Sequence, residues 1–214
     1  MRQRAIVCLV ALTTVLAGCS SSPIRERPFP TGDTVAASKP LDTGVSAVPA
    51  NRVQPVVPAH LYIPAIAVNS TILQLGTVVE PDPFLDNRQV TSFEVPPDLA
   101  RAGWWSDGPR VGAPGMAVLL GHSQVGGGYA VFNRIGELTP GAELVVDDES
   151  GRIRLRFRVT SVVRNIPKND SAALQKTLAA NAPTSNLALV TCSGDFDSSA
   201  SESVDNTVVF ARRA

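Results

Sequence analysis

Cysteine, lysine and aromatic residues are all scarce in this chain, and each scarcity excludes something. Of 214 residues only three are cysteine: Cys8, Cys19 and Cys192. Only three are lysine: Lys39, Lys168 and Lys176. The 19 basic side chains, mostly arginine, balance 19 acidic ones, and this gives no sign of a nucleic-acid partner. Aromatic residues make up 5% of the chain. Residues 5–17 form a charge-free apolar stretch of 13 residues. A permanent membrane-spanning helix needs about 20. At 44% hydrophobic and 18% charged, the chain can build one domain with a real core, but not two large ones.

What is there at the N-terminus reads as an export signal. Met1-Arg2-Gln3-Arg4 is a positive start, the apolar stretch follows, and Leu16-Ala17-Gly18-Cys19 resembles a bacterial lipobox. Cleavage before Cys19 and lipidation of its thiol would make residues 1–18 a signal peptide. Cys8 then leaves with the signal and Cys19 carries lipid, so Cys192 is the one free thiol of the mature chain and no internal disulfide can form. Loss of Arg2 and Arg4 leaves 17 basic against 19 acidic side chains. Residues 20–58 hold seven prolines, much Ser and Thr, and no apolar period. We therefore read 19–57 as a disordered, lipidated tether and 58–214 as the folded domain.

Short β-rich runs dominate the rest. Leu61–Pro64, Ser70–Leu75, 90–95, Gly115–Gly121, Leu144–Val146, 152–163, Asn186–Cys192 and Asp205–Ala211 all read as strands. The clearest is 152–163, where Ile153, Leu155, Phe157 and Val159 alternate with Arg152, Arg154, Arg156 and Arg158. Period two sends the apolar set inward and the arginines outward, as a solvated strand face. Asp98–Arg101 reads as one helical turn, and Ser171–Ala180 as the best helix, capped by Ser171. Many short strands with one or two short helices predict an all-β barrel or sandwich.

A thiol nucleophile needs a partner that gives and takes protons near neutrality, and histidine is the usual one. The chain has two, His60 beside the tether and His122. His122 follows an apolar run and precedes Gly126-Gly127-Gly128, at a strand end where reactive side chains project. Spacing alone leaves an inert buried cysteine and a surface histidine open as the alternative.

Longer motifs add weight. Leu189-Val190-Thr191-Cys192-Ser193-Gly194 resembles the sortase cysteine motif, and Pro114-Gly115 through Gly121-His122-Ser123 resembles the sortase histidine motif. Phe132 through Gly141 resembles the segment after that histidine. Leu61–Pro64 and Asp205–Ala211 resemble the family's first and last strands. Ala102-Gly103-Trp104-Trp105 and Gly108-Pro109-Arg110 resemble actinobacterial class E and F members in particular. The resemblance implies a closed β-barrel of about eight strands and a cell-surface cysteine transpeptidase that needs no cofactor or metal. Cys192 would attack a peptide bond in a sorting motif near a protein substrate's C-terminus. An amine on a cell-wall precursor or pilin-like protein would resolve the thioester, with His122 moving the protons. The enzyme would sit outside the cytoplasm, lipid-anchored to the membrane through Cys19.

One position departs from the pattern. The family's third site residue is an arginine near the start of the last strand, and here that position is Val204, just before Asp205-Asn206. Arg212 and Arg213 lie too far along the strand to substitute, while Arg88, Arg101 or Arg110 could enter from a loop. Two expectations follow: an active transpeptidase or peptidase with a rearranged cationic group, or a degenerate sortase acting as a lipid-anchored binding or scaffold protein. Trp104-Trp105 is expected in the core, and Asp195 and Asp197 as loop solvation rather than a metal site.

Overall fold

The alternation at 153–159 and the apolar run at 117–120 are the two patterns around which the fold is arranged. The computed structural model describes residues 54–124, 126 and 128–214; the signal, Cys8, Cys19 and the tether up to residue 53 lie outside them. In chain order the strands are β1 (Pro58–Ile63), β2 (Val68–Leu75), β3 (Thr77–Asp82), β4 (Arg88–Phe93), β5 (Ala102–Trp105), β6 (Ala117–Leu120), β7 (Glu143–Asp148) and β8 (Arg154–Pro167). Helix α1 (Ala173–Asn181), β9 (Leu187–Asp197) and β10 (Glu202–Arg213) complete the chain.

Eight strands close into a barrel in the order β1-β2-β5-β6-β9-β10-β8-β7, with β7 pairing back onto β1. The barrel expected from the sequence is therefore present. Most neighbours are antiparallel; β2–β5 and β6–β9 are parallel. Strands β3 and β4 form a separate two-stranded ribbon inserted between β2 and β5. Val56, in the segment read as tether, is already buried and pairs with Val111.

The period-two rule sorts the apolar residues into two layers. Leu119, Leu187, Leu189, Val209, Ala211, Leu155, Phe157 and Val159 fill the barrel interior with Leu61 and Ile63. Their sequence neighbours Val118, Leu120, Ala188, Val190, Val208 and Phe210 form an outer cluster with Ile166, Phe93 and Leu174 of α1. Strands β6, β9 and β10 are thus apolar on both faces, which is why 115–121 reads as an uninterrupted run. Two of the outward arginines of β8 are paired with carboxylates of β7, Arg154 with Asp147 and Arg156 with Glu143, while Arg158 donates to the Gly141 carbonyl just ahead of β7.

Three local expectations are revised. The turn 98–101 is not helical: the Asp98 carboxylate accepts from the Ala100 and Arg101 amides, an arrangement that competes with the helix. Helix α1 begins two residues later than expected, and Asp170 rather than Ser171 accepts an amide, that of Ala172, ahead of it. Finally, β9 runs on to Asp197, so Cys192 is a mid-strand residue.

Candidate active site

Parallel pairing of β6 with β9 aligns Leu120 with Val190, so two steps further His122 runs beside Cys192. Three hydrogen bonds carry the alignment past the end of β6. The Gly121 amide donates to Val190, the Thr191 hydroxyl donates to Gly121, and the Ser123 hydroxyl donates to the Cys192 carbonyl. By parity Cys192 continues the outer row of Ala188 and Val190, and His122 continues that of Val118 and Leu120. The two residues singled out by sequence therefore stand together on one outer face of the barrel. His60 does not join them; it lies on β1 against Tyr62, with β2 and β5 between it and β6.

Gly121 makes the approach possible. A Cβ there would lie 2.5 Å from Phe132 Cδ2 and 2.8 Å from Val131 Cγ1, and Phe132 is fully buried. Just past Cys192, Gly194 has φ +80° and marks a bulge in β9, opposite Val204, where the register with β10 shifts. Bulges of this kind twist a strand and re-aim the side chains beside it.

His122 is 6% exposed, and its Nε2 lies 2.7 Å from the Pro96 carbonyl. A carbonyl only accepts, so Nε2 is the donor and Nδ1 is the ring nitrogen left for other partners. Cys192 is 2% exposed. Asn206 is directly opposite it on β10, and among the described residues the buried Oδ1 of Asn206 has no hydrogen-bond partner.

The residue that sequence reasoning missed is Lys168. Its side chain is fully buried, its Nζ is 3.4 Å from Cys192 Sγ, and it donates to Glu202 Oε2 at 2.9 Å. The same ammonium lies 5.5 Å from the centroid of the Phe84 ring. Asp82, at the end of β3, is buried; burial pushes its carboxyl above the ordinary range, opposed by the Phe84 amide and by the charges of Lys168 and Arg88. The ribbon β3–β4 thus contributes to the surroundings of the ammonium. Of the three loop arginines, Arg101 pairs with Asp98 and Arg88 donates to the Leu85 carbonyl, while Arg110 is exposed. Trp104 belongs to the barrel interior, as expected, whereas Trp105 packs edge-on against Phe93 beside the outer cluster. Asp197 caps its own turn through Ser199.

A model of the sortase domain matches residues 61–214, most of the chain. The chain belongs to the sortase family. No curated protein matches the sequence. Among solved structures, sortase A from Corynebacterium diphtheriae is 16% identical with a TM-score of 0.50, over 75% of this chain and 62% of that one. The chain therefore spans less than two thirds of that sortase's length. Sortase E1 from Streptomyces coelicolor, solved with a tripeptide in its active site, is 16% identical with a TM-score of 0.49, over 73% of this chain and 87% of that one. The SrtA sortase from Actinomyces oris is 18% identical with a TM-score of 0.49, over 73% and 79%. At these identities the likeness to solved sortases is one of fold. Among the described residues no helix is long and apolar enough to cross a membrane.

Proposed function

We propose that this sortase is a cell-surface cysteine transpeptidase or peptidase of class E/F type, with Cys192 as nucleophile and His122 as its acid and base. The observation that carries this reading is the β6–β9 register, which sets His122 beside Cys192 on one face of the barrel. In the first step the Cys192 thiol gives its proton to Nδ1 of His122, and Sγ bonds to the carbonyl carbon of a peptide bond in a C-terminal sorting motif. The C–N bond breaks, and the leaving amine takes a proton from His122. In the second step an amine attacks the thioester and gives a proton to His122, and the C–S bond breaks, regenerating the thiolate. Residues 1–18 serve as the export signal. Lipid on Cys19 holds the barrel outside the membrane, near a protein substrate and an amine acceptor such as a cell-wall precursor or pilin-like chain. None of these steps calls on a cofactor.

Mass spectrometry of the chain incubated with a panel of candidate sorting peptides tests the reading. An acyl adduct on Cys192, absent in Cys192→Ala and discharged by an added amine, is the expected result. Two observations favour the second reading, a non-catalytic binding or scaffold protein: the shielding of Cys192 and the valine at 204. Peptide binding with no adduct under any condition would establish it in place of the first.

A further inference from the structure

We infer that Lys168 is the third catalytic residue of this site, supplying from just past the end of β8 the positive charge that the valine at position 204 of β10 cannot. The inference rests on the reading of Cys192 as the nucleophile. It starts from strand register. In the β8–β10 pair Asp205 faces Pro167 and Asn206 faces Ile166. The next step faces Val204 with Lys168, and the Lys168 amide donates to the Val204 carbonyl at 3.0 Å. Directly opposed residues of an antiparallel pair project to the same side. Ile166 belongs to the outer cluster, so Lys168 and Val204, two residues away on their strands, share its face. That is the face of Cys192, which is itself opposed to Asn206. A cation at 204 and a cation at 168 would therefore serve one patch of surface from two adjacent strands. Here the patch is served by Lys168, with Nζ 3.4 Å from the sulfur.

Three features fit a charge set there for chemistry. First, the ammonium is fully buried, where an ion's influence on a neighbour is far stronger than in water. Second, it is oriented by Glu202 and the Phe84 ring, so it need not reorganise when a thiolate forms. Third, the oxyanion of a tetrahedral intermediate is bonded to the carbon that Sγ has attacked, so an ammonium in contact with Sγ also lies near that oxygen. Lys168 thus favours the thiolate before attack and stabilises the oxyanion that forms after it. The charged and titratable groups around Cys192 are His122 beyond β6, Lys168 after β8, Glu202 and Asp205 on β10, Asp195 on β9, and Asp82 on β3 with Arg88 of β4 behind it.

The test is a thiolate titration of the full chain. The ultraviolet thiolate absorbance of the chain minus that of its Cys192→Ala variant isolates this one sulfur and requires no substrate. Lys168→Met is expected to raise the pH midpoint by about 1–3 units, the usual effect of removing a contacting opposite charge. Lys168→Arg should hold it near the wild-type value. Adding Val204→Arg to Lys168→Met should bring the midpoint back down, since the charge returns to the same face from the other strand. An unchanged midpoint in a Lys168→Met variant with native circular dichroism and melting overturns the inference. If Lys168→Met does not fold, Lys168→Gln decides by the same midpoint: an upward shift supports the inference, and an unchanged or lowered midpoint overturns it. Because the titration needs no turnover, it is independent of the peptide-adduct experiment, and either can fail without the other.

Discussion

At the scale of single residues, the Pro96 carbonyl decides what His122 can do. By accepting from Nε2 it leaves Nδ1 as the nitrogen able to exchange a proton with a substrate. His122→Ala removes that base and is expected to slow acylation of Cys192 by about 10²–10⁴-fold, the usual share of a positioned acid–base group. Steady-state kinetics with any peptide found to form the adduct measures it; a rate within a few-fold of wild type would remove His122 from the mechanism. Cys192 and His122 could be picked out in the sequence because their motifs are local: each is a short run around one residue. Lys168 could not, since what gives it a role is Val204, 36 positions away, opposite it on a paired strand. The one available signal was scarcity, an isolated lysine in a chain that otherwise favours arginine.

At the scale of elements, β6 and its exit carry the site, and Gly121 is their tightest point. A methyl group there would meet the buried ring of Phe132 and the side chain of Val131, neither of which has room to retreat. Gly121→Ala is expected to cost about 1–3 kcal/mol through overpacking and to displace His122. Chemical denaturation should show the lowered midpoint, and the variant should lose acylation even below its melting temperature. The same scale shows which elements could be read in advance. Strand β8 could, because a clean alternation of arginine and apolar residues fits only one face inward. So could β6, β9 and β10, whose apolar runs suit strands covered on both sides. Strand β3 could not: Thr77–Asp82 carries Glu80, Pro81 and Asp82 and looks like a turn, and it is held as a strand only by its register with β4. Strand β5, four residues long, forms because β2 and β6 flank it.

At the scale of the whole molecule, acid should loosen the fold. Asp98 is held below its ordinary 3.8 chiefly by the Arg101 side chain, Asp148 by the Ser150 hydroxyl and Asp197 by the Ser199 hydroxyl, while the Arg134 side chain holds Glu137 below 4.5. A carboxyl whose folded value is depressed stabilises the fold above its unfolded value and loses that contribution as pH falls through the folded one. Asp82 has the opposite sign: raised by burial, it favours the fold when protonated and costs stability once pH rises through its folded value. Four groups oppose one, so melting temperature is expected to drop as pH falls below about 4. A thermal melt series from neutral to acid pH checks this, and a melting temperature rising toward acid would refute it.

Closure of the barrel has a consequence for how a peptide can be held. Every one of the eight barrel strands has a hydrogen-bonded neighbour on each side, but the strands differ in length: β9 is paired with β6 only over 187–190, and β8 with β7 only over 154–158. A visiting extended chain would therefore add along the part of β9 that outruns β6, where Cys192 lies, rather than around the whole ring. On its other side that stretch is already paired, with Asn206 buried directly across from the sulfur.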